Sequence, residues 1–438
     1  MGPFARRCLP LLTVVLLLAC GPQLALPSPA PTPAPTMRPT APPTPHPTAL
    51  PAITAHPAPT APPRSLTLWA VAGGPQLEAL QAIIGELSRD LAAPVTVVGK
   101  SANGLHADLR ANQLAGLPPP DLIVGSQDDL GLLHRAGAIQ PAGDGLDASA
   151  FIPATIAGAT LDGERWGTPL AARGFLLLLY NRRLAEAPPR TSDELIVGAR
   201  QQTAGDRYGL VAGWAEARWF VTWLNGFGGA AVGPDGTPTL DTPQTVAALN
   251  LLKELRVAGP PPPSTYTEGV ALFAQGRAAF AIDGDWAIAG YRQYTDTLDL
   301  AFAPLPVVPA TGKVAAPPLD GVYLLYSKTL GGTRLEQARA LGRALAQPAT
   351  QARLARALGY LPALRAALAD PAVTGDPVLA AAAAQLDGAP GLPPIPGLRC
   401  AWGAIEAELP PVLLGEVTQE DAARRMQERA MTCMAGSG

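Results

Sequence analysis

Two acids and a tryptophan follow an apolar run in the segment "AAFAIDGDWAIAGY". The apolar run is typical of a buried strand, and it ends at Asp283, Gly284, Asp285 and Trp286. Asp283 and Asp285 offer hydrogen-bond acceptors, while Trp286 offers a large flat apolar face. Together these groups could bind a ligand. The alternative is an ordinary turn in which Trp286 packs against the protein.

The two acids also have the chemistry of a glycosidase, in which paired carboxylates cleave a glycosidic bond. In a turn, however, the directions of the two carboxyl groups are not set by their spacing. The chain contains no G-x-S-x-G nucleophile motif, no Walker A loop, no H-E-x-x-H motif and no dinucleotide-binding glycine motif after a strand. We therefore predict a binding protein with no catalytic residues and no cofactor.

Composition restricts the class of protein further. The chain has 438 residues, of which 48% are hydrophobic and 15% are charged, and its formal net charge is −3. This length exceeds a single comfortable core, so we expect two or more compact units. The weak negative charge and the lack of a Lys/Arg cluster argue against a nucleic-acid partner.

Cysteine and histidine do not indicate a metal site. The four cysteines fit no zinc-binding spacing and are too few for a disulfide framework. His46 and His56 fall in low-complexity sequence, and His106 and His134 stand alone. We expect the last two to be ordinary surface residues.

The amino terminus resembles an export signal. Arg6 and Arg7 precede an apolar run at residues 9–19, which is shorter than the ~20 residues that span a bilayer. Residues 1–20 are therefore predicted to be a lipoprotein signal peptide, ending in the lipobox-like tetrad "LLAC" at Cys20. Lipidation of Cys20 anchors such a protein to the membrane, outside the cytoplasm. The alternative is an ordinary signal peptide with a chance cysteine.

Residues 21–65 are dominated by Pro, Thr and Ala. Such a segment cannot bury a core and lacks an amide donor at every proline, so we predict a disordered, extended stalk. At ~3.1 Å per residue it could reach roughly 130 Å. The prediction is a folded domain that works away from the membrane surface.

From Leu66 onward, short apolar strands alternate with amphipathic helices. The predicted strands are "SLTLWAV", "VTVVG", "DLIVG", "GFLLLLYN", "YGLVAG", "AAFAID", "DLAFAPL" and "GVYLLYS". After Ser327 the sequence is mostly helical. This α/β pattern predicts a parallel sheet that is covered by helices on both faces.

Five segments, in order, resemble the extracellular solute-binding proteins of ABC importers, in particular the sugar-binding group that includes maltose-binding protein. They are "LPPPDLIVGSQDDLGLLHRAGAIQPA", "LDGERWGTPLAARGFLLLLYNRRL", "GPDGTPTLDTPQTVAALNLLKEL", "ALFAQGRAAFAIDGDWA" and "PPIPGLRCAWGAIEAELPPVLLGEVTQEDAARRM". The second segment is the most specific match, and the resemblance covers essentially the whole chain after Leu66. It implies a monomer that binds a small solute, here a carbohydrate, and delivers it to ABC permease subunits.

The resemblance also implies a two-lobe periplasmic-binding-protein-like α/β fold with discontinuous lobes and a cleft between them. We assign residues 66–171 and 306–360 to lobe 1. Residues 172–305 and 361–438 form lobe 2. The crossovers near Ala172, Leu305 and Tyr360 are the expected hinges, about which the lobes close on the solute.

The resemblance assigns candidate ligand contacts as well. In maltose-binding protein a tryptophan at the position of Trp286 stacks on sugar rings, and the tryptophan of the closing helices matches Trp402. A pyranose has an apolar C–H face and a rim of hydroxyl groups, so it suits a flat aromatic ring beside acceptors. Asp283 and Asp285 supply such acceptors.

Further candidates are weaker. "GWAEARWFVTW" places Trp214, Glu216, Arg218 and Trp219 just after a strand, where the family makes ligand contacts, although some of these side chains are expected in the core.

Arg173, near the lobe crossover, and Asp320, before a buried strand, complete the predicted contacts, with a structural or surface role as the alternative. The segment "LWAVAGGP" lacks the acid and lysine with which maltose-binding protein grips its sugar. The identity of the carbohydrate therefore stays open. A solute-binding protein for a polyamine, a phosphate ester or a metal is one alternative, and a secreted carbohydrate-active enzyme is the other.

Two cysteines are predicted to form a disulfide in the exported protein. Cys8 leaves with the signal peptide and Cys20 takes the lipid, so Cys400 and Cys433 remain together in an oxidising compartment. They lie at the start and the end of two successive helices, which an antiparallel pair brings together. Since two residues correspond to about 200° of helical rotation, a Trp402 that faces the cleft turns Cys400 toward the packed side. The alternative is two buried free thiols.

Overall fold

The computed structural model describes residues 65–91, 93–262, 264–386 and 388–436. The predicted signal peptide with Cys20, and the predicted stalk up to residue 64, lie outside these residues. The first described strand begins at Leu66, where the α/β pattern of the sequence begins. None of the described helices has both the length and the apolar composition that crossing a membrane requires.

The strands are short and mostly apolar. They are β1 (Leu66–Val71), β2 (Val95–Lys100), β3 (Leu122–Ser126), β4 (Ile139–Gln140), β5 (Thr160–Leu161), β6 (Glu164–Arg165), β7 (Gly167–Arg173), β8 (Leu176–Asn181), β9 (Tyr208–Val211), β10 (Ala278–Gly284), β11 (Leu300–Ala303), β12 (Val307–Val308), β13 (Lys313–Val314), β14 (Asp320–Ser327) and β15 (Leu361–Pro362). All the strands expected from the sequence are present.

The helices lie between and after these strands. They are α1 (Gly74–Asp90), α2 (Ala102–Leu114), α3 (Gln127–Arg135), α4 (Pro153–Ala159), α5 (Ser192–Gln202), α6 (Ala217–Gly226), α7 (Pro243–Arg256), α8 (Tyr266–Ala274), α9 (Asp285–Tyr291), α10 (Gly332–Leu345), α11 (Pro348–Leu358), α12 (Pro371–Thr374), α13 (Pro377–Ala383), α14 (Pro396–Leu414) and α15 (Gln419–Ala435). Two short 3-10 helices add Ala148–Ala150 and Arg365–Ala369.

The larger sheet has seven strands, in the order β15-β7-β14-β3-β1-β2, with β4 paired to β14. β1 is parallel to β2 and β3, as the βαβ pattern predicts. β14 instead runs antiparallel to β3, β4 and β7. The prediction of a parallel sheet is therefore wrong for this part. β14 enters after a long excursion through the smaller sheet, so no helical βαβ crossover imposes a parallel direction on it.

The smaller sheet has four strands, in the order β11-β8-β10-β9. β8 is antiparallel to β10 and β11, while β10 is parallel to β9. β10 is buried along its whole length and β8 along nearly all of it. This burial on both faces explains why both strands are near-continuous apolar runs in the sequence.

The chain passes between the two sheets more than once. It leaves the larger sheet between β7 and β8 and returns to it between β11 and β14. After β15 it goes back to the smaller sheet, where α13 packs on β8 and β11. The predicted boundaries near Ala172, Leu305 and Tyr360 lie at or near these passages. The division into lobes with those bounds stays a prediction.

The last two helices, α14 and α15, pack against each other and on α7. Thr418 caps α15 by accepting a hydrogen bond from the backbone N–H of Asp421, over 3.1 Å. Cys400 on α14 and Cys433 on α15 are joined in the structure as a disulfide, with their Cα atoms 5.6 Å apart. The antiparallel pairing of the helices brings the start of one beside the end of the other.

Candidate functional site

Asp283 lies in a hydrogen-bonded pocket near the end of β10, where it is only 2% exposed. Its Oδ1 accepts from the Tyr266 hydroxyl and from the Gly284 backbone N–H, both over 2.7 Å. Its Oδ2 accepts from the Tyr291 hydroxyl over 2.6 Å. Burial raises the pKa of Asp283 to about 6, against the lowering effect of these hydrogen bonds. The sequence predicts a direct solute contact for Asp283, and this burial argues against it.

Trp286 stands in the first turn of α9, directly after the buried strand, and is 42% exposed. Its indole N–H donates to the Tyr266 hydroxyl over 2.8 Å. The ring lies over Gly284, where an added Cβ would come within 2.3 Å of the indole carbons. The ring also meets Trp219 edge to face, with centroids 5.9 Å apart. A large aromatic surface is therefore held in place and open to solvent.

Trp214 and Trp219 are core residues, which was the alternative to the solute contacts that the sequence predicts for this segment. They are 5% and 2% exposed, beside or within α6, which is apolar on almost every side. Trp214 packs under the Arg256 guanidinium, 5.4 Å from the ring centre, and the Trp219 N–H donates to the Ile282 carbonyl over 2.7 Å. Both rings are almost fully buried, so neither offers an open face to a solute. The Trp219 ring instead packs against the Trp286 ring.

Arg218 and Asp320 form an ion pair that joins α6 to the start of β14. Arg218 Nη2 donates to the two carboxylate oxygens of Asp320 over 3.1 and 3.2 Å. Arg218 Nη1 donates to the Gly174 carbonyl over 2.9 Å. Gln127 Nε2 donates to Asp320 over 3.3 Å. Because the Arg218 guanidinium lies 6.0 Å from the Trp286 ring centre, this pair borders the exposed indole.

Arg173 and Asp285 lie at the passage from β7 to β8. The backbone of Arg173 on β7 lies opposite that of Asp320 on β14, and the Arg173 guanidinium lies 5.2 Å from the centre of the Tyr360 ring. Asp285 Oδ2 accepts from the Gly174 N–H over 3.1 Å. Burial raises the pKa of Asp285, and the charge on Arg173 opposes that rise. Arg173 Nε and Asp285 Oδ1 are buried, and no hydrogen bond reaches either atom from the described residues.

Further carboxyl groups surround the Arg218–Asp320 pair. Glu216 directly precedes α6. Desolvation raises the pKa of Glu216, and the charge on Glu406 adds to the rise. Desolvation likewise raises the pKa of Asp128 at the start of α3, and the charge on Asp320 adds to it. Each of these acids therefore senses another negative charge nearby. The surface has an acidic character that Arg218 only partly offsets.

A cavity of about 870 Å³ lies beside Trp402 on α14. Its walls include Asn225 from α6 and Asp162 from the turn between β5 and β6. Pro318 also lines it, and the Pro318 carbonyl accepts from Arg218 Nη1 over 2.9 Å. Arg218 therefore connects the surroundings of the cavity with those of Trp286.

The structure groups some of the predicted site residues and separates others from solvent. We call the following group the Trp286 surface: Asp128, Glu216, Arg218, Trp286, Asp320 and Glu406. Trp402 lies at the neighbouring cavity, and Arg173 and Asp285 are partly buried next to the surface. Among the described residues, no group of three or more His, Cys, Asp or Glu is arranged to hold a metal ion.

Sequence reasoning missed several residues of this region: Tyr266, Gln127, Asp128 and Glu406. Tyr266 comes from α8, ahead of β10, and no motif marks it. Asp128 belongs to the acidic first turn of α3, which by itself indicates only a helix start. Only the packing of separate elements brings these side chains to Trp286.

Two curated relatives resemble this chain in sequence. The maltotriose-binding protein of Pyrococcus abyssi is 26% identical over 304 residues, which cover 67% of this chain and 66% of the relative. The maltodextrin-binding protein MdxE of Bacillus subtilis is 26% identical over 227 residues, which cover 48% of this chain and 52% of the relative. The chain thus spans just under two thirds of the length of the first relative and about half of the length of the second.

Solved structures show the same fold. A cyclo/maltodextrin-binding protein in complex with maltotetraose has a TM-score of 0.75 and 25% identity, and the match covers 86% of this chain and 97% of that one. A maltose-binding protein from Listeria monocytogenes in complex with maltose has a TM-score of 0.72 and 20% identity, over 84% and 98%. The chain has their two-lobe α/β periplasmic-binding fold. The relatives and these solved structures are named as binding proteins and not as enzymes.

The bacterial extracellular solute-binding protein family provides the most general comparison. Its profile matches residues 90–381, which is more than half of the chain. The matched range begins at the end of α1 and includes the smaller sheet, every strand of the larger sheet except β1, and most of the Trp286 surface. The chain belongs to the bacterial extracellular solute-binding protein family.

Proposed function

We propose that this protein captures a neutral carbohydrate in the cleft between its lobes and delivers it to the permease of an ABC importer. The observation that carries the proposal is the exposed Trp286 ring, set among carboxyl groups and the Arg218–Asp320 pair. The two relatives are named as maltotriose-binding and maltodextrin-binding proteins, which supports the same class of solute.

The physical argument rests on the shape of a sugar ring. Its apolar C–H face stacks on an aromatic ring, while its hydroxyl groups donate to carboxylates and accept from guanidinium N–H groups. A stacked face removes on the order of 50–100 Å² from water, which stabilises binding by about 1–2.5 kcal/mol. In this proposal Trp286 offers the face, Glu216 and Asp128 accept hydrogen bonds from the hydroxyl groups, and Trp402 contacts a further sugar unit in the neighbouring cavity.

The charge of the surface favours a neutral solute over an anionic one. Four acids and one arginine make up the charged groups of the Trp286 surface, and the charges of neighbouring acids add to the desolvation that raises the pKa values of Glu216 and Asp128. A phosphate ester or a sugar acid would add like charge at the same place. We therefore place sugar phosphates and sugar acids outside the solute range.

A thermal-shift screen tests the proposal. Maltotriose, maltotetraose and other neutral oligosaccharides are compared with glucuronate, glucose 6-phosphate and spermidine. A solute at a hundredfold excess over Kd stabilises the folded protein by roughly 2.7 kcal/mol, so a neutral oligosaccharide should raise the Tm measurably. A shift with spermidine or the phosphate ester alone contradicts the proposal. Conversion of the sugar, detected by chromatography, would make the protein an enzyme.

We further propose that Cys20 is lipidated and anchors the protein, as a monomer, on the outer side of the cell membrane. What supports this is the short apolar run that ends in "LLAC", together with membership of an extracellular family. The Cys20→Ser variant should leave the membrane fraction after cell lysis, while the unchanged protein stays there. Equal membrane retention of both proteins contradicts the anchor.

A further inference from the structure

We infer that Asp283 and Tyr266 are positioning residues that hold the Trp286 ring in the orientation required for stacking. The inference rests on the proposed function, since it explains how the stacking surface is kept in place. Neither residue needs to touch the solute. They act through a chain of hydrogen bonds that starts at the indole and ends at a buried carboxyl group.

The geometry of this chain is continuous. The Trp286 indole N–H donates to the Tyr266 hydroxyl oxygen over 2.8 Å, and the hydroxyl donates in turn to Asp283 Oδ1 over 2.7 Å. A hydroxyl group has a single proton, so donation to Asp283 leaves its oxygen lone pairs directed at the indole N–H. A carboxylate acceptor strengthens such a bond, and successive hydrogen bonds polarise one another.

Asp283 is itself immobilised. It is 2% exposed and accepts additional hydrogen bonds from the Gly284 backbone N–H and the Tyr291 hydroxyl. The ring of Tyr266 packs against Trp219, with centroids 5.4 Å apart. The hydroxyl of Tyr266 is thereby presented from a fixed place. An anchored acceptor of this kind restricts the rotation of the indole above it.

Besides this hydrogen bond, Trp286 is restrained by the close approach of the Gly284 backbone and by its contact with Trp219. It is 42% exposed, and the aromatic contact with Trp219 is edge to face rather than a broad stacking interaction. The Arg218 guanidinium lies 6.0 Å from its ring centre. A half-exposed side chain with a free face loses rotamer entropy when a ligand orders it, and an indole that is already fixed avoids that loss. The hydrogen-bond chain therefore contributes to affinity without any solute contact.

Tyr291 provides a matched control. Its hydroxyl donates to the same carboxyl group as that of Tyr266, over 2.6 Å, from the other side. Tyr291→Phe and Tyr266→Phe each remove one hydroxyl group and one hydrogen bond to Asp283. Only the second also removes the partner of the Trp286 N–H. A difference between the two variants therefore reports on the link to Trp286.

The test measures affinity for maltotriose by titration calorimetry. Loss of an ordered hydrogen bond of this kind should weaken binding in Tyr266→Phe by about 5- to 10-fold, while Tyr291→Phe stays within about twofold of the unchanged protein. Equal affinities in all three proteins, or equal losses in both variants, overturn the inference. If Tyr266→Phe does not fold, Asp283→Leu replaces it, with the same expected loss of affinity.

A ligand-free readout separates this inference from the proposed function. Hydrogen exchange of the Trp286 indole N–H, assigned with Trp286→Phe, is followed by NMR in the absence of sugar. Exchange should accelerate in Tyr266→Phe and stay unchanged in Tyr291→Phe. If maltotriose binds none of the proteins, the proposed function fails for this sugar, and accelerated exchange still supports the positioning role. Unchanged exchange in Tyr266→Phe overturns the positioning role, whatever binds.

Discussion

At the scale of single residues, the place of the Trp286 ring depends on the absence of a side chain at Gly284. Gly284 has φ −96°, which any residue can adopt, so its importance is spatial rather than conformational. A Cβ added there would come within 2.3 Å of the indole carbons, which forces the ring to move. The backbone of β10 thus approaches the ring more closely than any side chain would allow.

We expect Gly284→Ala to weaken sugar binding by about 10-fold, because a displaced ring loses much of its stacking interaction of about 1–2.5 kcal/mol. Gly290→Ala, in the same helix, is the control, since nothing lies within 4 Å of a Cβ at that position. Titration calorimetry with maltotriose compares the two variants. Equal affinities would show that the observed orientation of Trp286 does not matter.

The carboxyl group of Asp283 makes stability depend on pH. Burial raises its pKa from the ordinary 3.8 to about 6, so the folded state holds the proton more tightly than the unfolded chain does. The stability from this group is fully present below about pH 3.8 and is lost as the pH rises through about 6. The neighbouring Asp285 and Glu216 also have raised pKa values, so a comparison with a variant is needed.

In Asp283→Asn this titration is absent. The free energy of unfolding of the unchanged protein, relative to that of the variant, should therefore fall between pH 4 and pH 6 and then level off. Urea unfolding at a series of pH values measures the difference. A difference that is constant across this range would mean that Asp283 titrates at its ordinary pKa.

The position of Trp286 directly after a buried strand could be predicted because that strand is a continuous apolar run, and its role as a solute contact stays a prediction. The different surroundings of Asp283 and Asp285 could not be predicted from the sequence. Asp283 is enclosed by Tyr266 and Tyr291, which come from the preceding and the following helix. Their arrangement depends on how α8 and α9 pack on β10, and the spacing of residues carries no information about that packing.

At the scale of elements, the disulfide between Cys400 and Cys433 joins α14 to α15. Cys400 is buried, and Trp402, two residues later on α14, lines the cavity. This is the opposed orientation that helical rotation predicts. The two cysteines are 33 residues apart in the sequence. In the chain-entropy description a bridge over a loop of that length stabilises the folded protein by roughly 3–4 kcal/mol.

We predict that the exported protein carries the Cys400–Cys433 bridge. Alkylation without reduction should then add no mass, while reduction followed by alkylation should add two adducts from these cysteines. The double variant Cys400→Ser/Cys433→Ser should lose stability of the order given above. Two adducts without prior reduction would show that the thiols are free in the exported protein.

The strands themselves were predictable because β8 and β10 are buried on both faces and therefore apolar throughout. The directions of the strands were not predictable. The pairing of β14 with β3 and β7 depends on where the chain re-enters the sheet, and an apolar run is the same in either direction. Which side chains of the segment "GWAEARWFVTW" lie in the core was unpredictable for a similar reason, since α6 is apolar on almost every side and shows no single buried face.

At the scale of the whole molecule, the Trp286 surface lies near the segments in which the chain passes between its two sheets. Arg218 on α6 pairs with Asp320 on β14, a strand of the larger sheet, so this ion pair joins elements on the two sides of the passage. Arg173 and Asp285 each carry a buried polar atom without a hydrogen bond from the described residues. A buried polar atom without a hydrogen bond costs free energy. We expect these two atoms to gain hydrogen-bond partners when the two sides move together.

We predict that the molecule closes on its solute about the passages near Ala172, Leu305 and Tyr360. Small-angle scattering should give a smaller radius of gyration with saturating maltotriose than without it. Glucuronate at the same concentration serves as the control and should leave the profile unchanged. An identical profile at a maltotriose concentration that saturates calorimetric binding would contradict closure.

Titration calorimetry of Trp286→Ala tests the central claim, that a neutral carbohydrate stacks on this ring. The variant should bind maltotriose ~10-fold or more weakly, while the Tm of the unliganded protein stays nearly unchanged, because the ring is 42% exposed. Tyr294→Ala, which removes another exposed aromatic side chain just after α9, should leave both quantities unchanged. Unchanged affinity in Trp286→Ala together with a large loss of unliganded stability would contradict the account and assign Trp286 to the core.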